Sequence, residues 1–368
     1  MINLTLLYIT PSLTVGGAEK FLALLSNALS NETRKEILVS LSDSNPLRPE
    51  INKEISFHSM PRRKKLDIRA IRRLRKLIKA EQPDVAICLS FFSYLFLRIA
   101  CAGFVKSPKR IISYHSTIHL SMKEDYLHRL SAKLLNENDL IITVSRNQAK
   151  YTAERYHIPM NFFKTIYNGI DTNHWKPPLD NRNRNQIRAK YGLPENAKVV
   201  IMAASFRLEK NHTGALKALH ILHNIYNLKA YLLLVGNGAM IDDMKKLATE
   251  LEIQDHVKFA GMQYDVRPFY WASDLFTLCS YSETFSIAAL EAMACGLPCV
   301  LTDIGGADEM IVQGLNGYLC KPDEQDIAVT WLKAMNDSFS EERIVEYVQR
   351  NFHKDKMVNE YKEILSGY

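Results

Sequence analysis

Short apolar runs alternate with helix-length segments along the whole chain, and the pattern restarts near its middle. Residues 4–9 form the first run, followed by Gly16-Gly17 and a helical pattern over residues 18–29. Runs at 37–41, 85–89, 110–115 and 140–144 come next, most with a helix-length segment behind them. The restart is residues 198–203, with runs at 231–235, 257–259, 275–278 and 299–301 after it. Continuous apolar runs suit strands buried on both faces, and helices between them make those strands parallel. Between the two series lie Asn168-Gly169-Ile170-Asp171 and Trp175-Lys176-Pro177-Pro178, where Gly and the double Pro mark a linker. The two series share an architecture but no repeated sequence. The expected fold class is α/β: two facing Rossmann-like doubly wound parallel-sheet domains with an interdomain cleft at the carboxyl ends of the strands, where ligands bind in this class. The expected spans are 1–172, 173–345 and a C-terminal helix over 346–368 that packs back toward the N-terminal domain.

Composition narrows the setting. With 368 residues, 47% hydrophobic and 24% charged, the chain has material for two ordinary cores and none of the bias of a disordered segment. The N-terminus lacks a basic flank, and residues 4–9 are too short for a signal-peptide core, so the expected location is the cytoplasm. The most membrane-like stretch, residues 85–105, is interrupted by Ser90, Ser93, Arg98 and Gly103 and reads as a strand followed by a buried helix. The cysteines Cys88, Cys101, Cys279, Cys295, Cys299 and Cys320 have no His or second pair at metal-ligand spacing. They are expected to be buried, reduced thiols, with no metal site.

The net charge of +7 is unevenly spread. Up to Asp171 there are 26 Lys and Arg against 15 Asp and Glu; the remainder holds 21 against 25. Much of the excess lies from Arg62 to Lys79, where ten basic residues face Asp67 alone. Leu66, Ala70, Ile71, Leu74, Leu77 and Ile78 fall on one face of a helix there and the basic residues on the other. A solvated surface helix and a peripheral contact with anionic membrane both fit this pattern. Nucleic acid is not expected, because no aromatic interleaving or binding motif accompanies the charge.

Glu283 and Glu291 are separated by seven residues, and the second lies in a helical pattern that starts near Ser286 and stops at Gly296 before Pro298. The helix start would present the backbone N–H groups of Phe285, Ser286 and Ile287, an anion site suited to a diphosphate. Glu291, just over a turn further in, could accept both hydrogen bonds of a ribose diol, with Glu283 on the sugar side of the phosphates. A helix with one polar position and a loop glutamate near its dipole accounts for the same residues. Gly16 and Gly17, after the first strand, could let the backbone approach a phosphate or sugar and adopt positive φ; a tight turn is the simpler account. His115 ends a strand on the cleft side, where a lone His is usually a satisfied structural residue.

The Glu-x7-Glu element, the following Gly296-Leu297-Pro298 and Gly305-Gly306-Ala307-Asp308-Glu309 resemble the donor site of family 4 retaining glycosyltransferases of the GT-B fold. Val15-Gly16-Gly17-Ala18-Glu19, Pro83-Asp84-Val85, His115, Asn168-Gly169-Ile170-Asp171, Gly236-Asn237-Gly238 and Phe259-Ala260-Gly261 are similar to further elements of that family, in order along the chain. Lys210 matches a family lysine, but Ser205 stands where an Arg is common and Arg207 lies three residues before Lys210. The resemblance implies transfer of a hexose or N-acetylhexosamine from a nucleotide diphosphate sugar, first of all a UDP-sugar, with retention and without metal or resident cofactor. Lys210 and Arg207 would meet the diphosphate charge, Glu283 would position the donor, Gly236 would line its site, and His115 would contact the donor sugar. A glycan or lipid-linked acceptor in surface polysaccharide or lipopolysaccharide assembly is the expected partner. A GT-B sugar-nucleotide epimerase and a catalytically silent sugar-nucleotide-binding protein are the alternatives.

Overall fold

A computed structural model describes residues 2–14, 16–64, 66–115 and 122–368. Val15 and Lys65, within the segments named above, lie outside the described residues. The chain divides into two compact units, Met1–Gly169 with Lys354–Tyr368, and Ile170–His353.

The first unit runs β1 (Ile2–Thr10), α1 (Gly17–Leu29), β2 (Thr33–Ser40), β3 (Ser56–Ser59), α2 (Ile68–Glu81), β4 (Val85–Cys88), α3 (Phe91–Ala100), β5 (Lys109–Tyr114), α4 (Met122–Ala132), β6 (Asp139–Thr143), α5 (Arg146–Tyr156) and β7 (Phe163–Thr165). The strands form one parallel sheet in the order β3-β2-β1-β4-β5-β6-β7. Alternation along β1 divides its side chains between two cores. Leu6 and Tyr8 join Phe21, Leu22 and Leu25 of α1, while Leu7 and Ile9 join Ala70, Leu74 and Ile78 of α2 and Phe91 and Phe96 of α3. The membrane-like stretch is β4 and α3, and among the described residues no helix is long and apolar enough to cross a membrane.

The second unit runs α6 (Arg182–Tyr191), β8 (Val199–Ala203), α7 (His212–Asn224), β9 (Tyr231–Val235), α8 (Ile241–Glu250), β10 (Val257–Gly261), α9 (Arg267–Trp271), β11 (Leu275–Leu278), α10 (Ile287–Ala294), β12 (Cys299–Thr302), β13 (Gly317–Cys320), α11 (Glu324–Asn336) and α12 (Glu341–Phe352). Its parallel order, β10-β9-β8-β11-β12-β13, repeats that of the first six strands of the first unit. All six cysteines are buried, unpaired thiols.

Three strands escape the sequence reading, β3, β7 and β13, and each is at a sheet edge. β3 and β7 are only partly buried, so their sequences need no continuous apolar run. β13 opens on Gly317, whose absent side chain lets the backbone pass Cys299; a Cβ there would lie 1.8 Å from that carbonyl oxygen. The segment from 346 onward is also not one helix. It contains the end of α12, in the second unit, and then α13 (Lys354–Ser366), in the first. The divisions fall after Gly169 and His353 rather than after 172 and 345. Met357, Val358, Tyr361 and Leu365 of α13 are buried in the core beside α1 and β1.

Candidate functional site

In the second sheet β8 connects to β9 on one side and β11 to β12 on the other, so the loops leaving these two neighbours diverge. This is the topological switch point, where open α/β sheets bind ligands. Lys210 comes from the first loop and Glu283 from the second, and the Lys210 Nζ donates to Glu283 Oε2 at 2.5 Å. The side chains are 21% and 24% exposed, which leaves the pair reachable but partly desolvated. Backbone and side chain hold the loops together. The Tyr281 N–H donates to the Glu209 carbonyl (2.8 Å), and the Asn211 side chain donates to the Cys279 carbonyl (3.0 Å) while accepting from the Gly214 N–H. Asn211 does this as the cap of α7 in a left-handed conformation, φ 55°, which Asn tolerates better than most residues.

Glycines set the neighbouring loops. At Gly236, φ 141°, a Cβ would lie 2.1 Å from the Ala204 carbonyl oxygen, so the loops after β8 and β9 touch only because it is absent. At Gly305, φ 59°, a Cβ would lie 2.0 Å from the carbonyl oxygen of Glu283, and the Gly306 N–H donates to Thr284 O at 2.9 Å. The Gly305-Gly306 turn therefore props the Glu283 loop from below.

Helix α10 begins at Ile287, in keeping with a start near Ser286. Ser286 is its cap, accepting from the Ala289 N–H at 3.2 Å, and Phe285 is buried ahead of it against Phe352. The N–H groups at the helix start without an intrahelical acceptor are thus those of Ser286, Ile287 and Ala288, and Phe285 lies ahead of them. Glu291 is buried in the helix, where its Oε2 accepts from the Tyr270 hydroxyl at 3.5 Å.

Arg207 stands apart. Its side chain is 70% exposed and its nearest acidic partner is Glu209, at 3.9 Å, so the structure does not bring it to Glu283 as it does Lys210. His212 lies closer: it stacks on Phe206 at 4.1 Å, and burial together with Lys210 pushes it down to about 4.

In the first unit Gly17 opens α1 and Gly16 caps it with extended backbone (φ −154°), so the positive φ expected of these glycines is not used at Gly16. What Gly16 provides is space. The Glu19 carboxylate folds over it, and a Cβ would lie 2.5 Å from Glu19 Oε2. Burial raises that carboxyl, with Ser12 and Thr14 hydrogen-bonding to its ionised form. His115 follows β5 with its ring 4.2 Å from that of Phe21 and its Nε2 2.9 Å from Ser113 Oγ. Burial pushes His115 down to about 3, so its ring is neutral near pH 7.

The basic helix α2 buries Ala70, Leu74 and Ile78, whereas Leu66, ahead of the helix, is exposed. Several basic groups have internal duties. The Arg75 guanidinium donates to the Ala100 and Ala102 carbonyls (2.7 Å each) above the Phe104 ring, Arg73 donates to Pro61 O, and Arg62 lies over Phe92.

Sequence reasoning missed Asn211, Tyr270, Ser113 and Tyr361. Asn211 had a usable signal, an Asn directly before a helical pattern. Tyr270 and Tyr361 act across longer sequence separations and had none, and Ser113, two residues before His115, was one hydroxyl in an apolar strand.

Residues 183–351 match the model of the glycosyl transferases group 1, and residues 15–174 that of Glycosyltransferase Family 4. The chain is 31% identical to N-acetyl-alpha-D-glucosaminyl L-malate synthase of Bacillus anthracis over 70% of this chain and 67% of that protein. It is 26% identical to the UDP-Gal:alpha-D-GlcNAc-diphosphoundecaprenol alpha-1,3-galactosyltransferase of Escherichia coli over 80% and 75%. The structure of Anabaena Alr3699/HepE in complex with UDP superposes with a TM-score of 0.85 at 20% identity, covering 99% of this chain and 100% of that one. The lipopolysaccharide outer core galactosyltransferase WaaB does so with 0.77 at 18%, covering 99% and 100%. The fold is therefore GT-B. The chain belongs to the family 4 glycosyltransferases, whose relatives work in polysaccharide, lipopolysaccharide and glycolipid synthesis. Neither the epimerase nor the silent binding protein is favoured.

Proposed function

We propose that the protein moves a hexose or N-acetylhexosamine from a UDP-sugar to a glycan or lipid-linked acceptor of surface polysaccharide or lipopolysaccharide assembly, with retention of configuration and without a metal ion. The observation that carries this reading is the Lys210–Glu283 pair at the switch point beside the start of α10. Cleavage of the sugar–phosphate bond leaves negative charge on the diphosphate. The Lys210 ammonium and the N–H groups of Ile287 and Ala288 meet that charge without rearranging, and a preorganised donor of this kind lowers a barrier by about 3 kcal/mol. Glu283 holds the ammonium in place and through it positions the donor sugar or phosphate. Glu291 accepts from the ribose diol. Arg207, on the exposed loop, adds long-range attraction rather than a fixed contact. On a front-face path the leaving phosphate takes the acceptor's proton, so no protein nucleophile is required. Neutral His115 serves as a hydrogen-bonding group toward the donor sugar and not as a cation. Gly16 and Gly17 keep the loop after β1 close to the substrate.

Relatives and structural neighbours support the donor and acceptor classes: UDP-Gal with a diphosphoundecaprenol-linked sugar in one, UDP and UDP-glucose complexes of HepE in another. The outward basic residues of α2, Arg69, Arg72, Lys76 and Lys79, suit anionic lipid on the cytoplasmic face of a membrane. A thermal-shift panel of nucleotide sugars tests the donor. Stabilisation by a UDP-hexose or UDP-N-acetylhexosamine is expected, and no response to any UDP-sugar contradicts it. Product analysis by NMR with an acceptor tests retention. Sedimentation with anionic liposomes, bound at low salt and released at high salt, tests the membrane contact.

A further inference from the structure

Tyr361 lies in α13, the helix that returns from the second unit to the first, and is 1% exposed. Its hydroxyl is 2.8 Å from the Oγ of Ser113, and that Oγ is 2.9 Å from Nε2 of His115. Ser113 is likewise 1% exposed, so neither hydroxyl has ready recourse to water. The Phe21 ring packs against both ends of this chain of contacts, 4.2 Å from His115 and 5.7 Å from Tyr361.

Counting hydrogens gives the chain a direction. Among the described residues, Ser113 is the hydrogen-bond partner of the Tyr361 hydroxyl. If that phenol accepted from Ser113, its own hydrogen would be left unpaired in an apolar core. If it donates, Ser113 Oγ is the acceptor, and among the described residues the serine hydrogen then has Nε2 of His115 as its acceptor. Were Nε2 itself protonated, the serine hydrogen would be the unpaired one. Only one arrangement gives both hydroxyl hydrogens an acceptor among the described residues, and unmet buried donors are costly. Tyr361 donates to Ser113, Ser113 donates to Nε2, and the ring carries its proton on Nδ1. Burial raises the Tyr361 phenol, which keeps it a donor.

We propose that Tyr361 and Ser113 are positioning residues that hold His115 as the Nδ1–H tautomer and fix its ring plane. The ring's single N–H is thereby committed to the edge away from Ser113. The consequence for the reaction rests on the reading of His115 as a contact of the donor sugar. The tautomer itself does not.

Two readouts separate the claims. With isotope-labelled histidine, His115 identified by its loss in His115→Asn, the nitrogen shifts report which ring atom carries the proton. The expected result is protonated Nδ1 and bare Nε2 in the wild type, and a mixture of tautomers in Tyr361→Phe and Ser113→Ala. Tyr361→Phe keeps the ring in the core, and the same spectra report whether the fold is intact. Turnover should fall about fivefold in either variant, the worth of one hydrogen bond, with the donor KM changing less. The double variant should lose no more than the worse single one, and Ser113→Thr, which keeps the hydroxyl, should recover the wild-type tautomer. A protonated Nε2 in the wild type, or a tautomer unmoved by Tyr361→Phe, overturns the proposal. A shifted tautomer with unchanged turnover keeps the relay and removes His115 from the reaction.

Discussion

The two sheets share the strand order of their first six members but equip their carboxyl ends differently. After β8 and β11 charge meets charge within reach of solvent, as Lys210 and Glu283 on loops held together by Asn211, Tyr281 and a glycine turn. After β5 in the first unit a neutral histidine ends a line of hydroxyl groups that runs into the core. The first arrangement suits a ligand that brings or develops negative charge. The second suits a group that must stay uncharged and oriented. One topology thus presents an electrostatic edge and a hydrogen-bonding edge, and the difference comes from a few loop residues rather than from the sheet.

The sharpest break of this contrast is Lys210→Ala. Turnover should fall by several hundredfold, equivalent to about 3–4 kcal/mol of transition-state stabilisation, while the melting temperature changes little. Steady-state kinetics beside a thermal melt decides it, and undiminished turnover would remove Lys210 from the chemistry.

The first unit contains a buried acid that takes no part in the proposed chemistry. Glu36 is 5% exposed, accepts from the Tyr8 hydroxyl at 3.1 Å, and is pushed up by burial from 4.5 to about 8. The folded chain therefore keeps this proton where the unfolded chain has lost it. Stability should fall as pH rises from about 4.5 to about 8 and then level off, by on the order of 5 kcal/mol from this group. Urea unfolding across that range should show the decline in the wild type and a flatter profile in Glu36→Gln. The same slope in both would show that Glu36 is not its source.

Glycine substitutions compare the two units at smaller energies. Gly305→Ala forces a Cβ against the carbonyl of Glu283 at positive φ, and should cost about 2 kcal/mol and displace the Glu283 loop. Gly103→Ala, also at positive φ but with nothing within 4 Å, should cost about 1 kcal/mol. Equal costs in denaturant melts would mean that φ alone, and not support of the loop, sets the price. The smallest effect is expected of Arg207→Ala, less than about threefold on turnover, because an exposed charge contributes mainly through screened attraction. A loss as large as that of Lys210→Ala would show that Arg207 swings into the site.

The fold was legible wherever strands are buried on both faces, since β1, β4, β8, β9 and β11 need continuous apolar runs. The edge strands β3 and β7 relax that requirement and left no mark. In the candidate site, Glu283 and Glu291 were visible because a helix start imposes a local pattern, and Lys210 through the family resemblance. That Lys210 meets Glu283 was not, because 73 residues separate them and only the sheet order makes their loops neighbours. Tyr361 was less legible still. Its partner is 248 residues away, and in sequence it is one more aromatic on an amphipathic helix. Arg207 is the converse case: three residues from Lys210 in sequence, it has Glu209 and not Glu283 as its acidic partner.

The central claim, that the second unit holds the nucleotide through groups on α10, is tested most directly by calorimetric titration of UDP into the wild type and Glu291→Gln. The substitution keeps the side chain's size but removes the carboxylate that would accept from the ribose. UDP affinity should fall at least tenfold, the worth of about 1.5–3 kcal/mol for hydrogen bonds to a charged group, in a variant that still melts as the wild type does. Unchanged affinity for UDP in that variant would contradict the account.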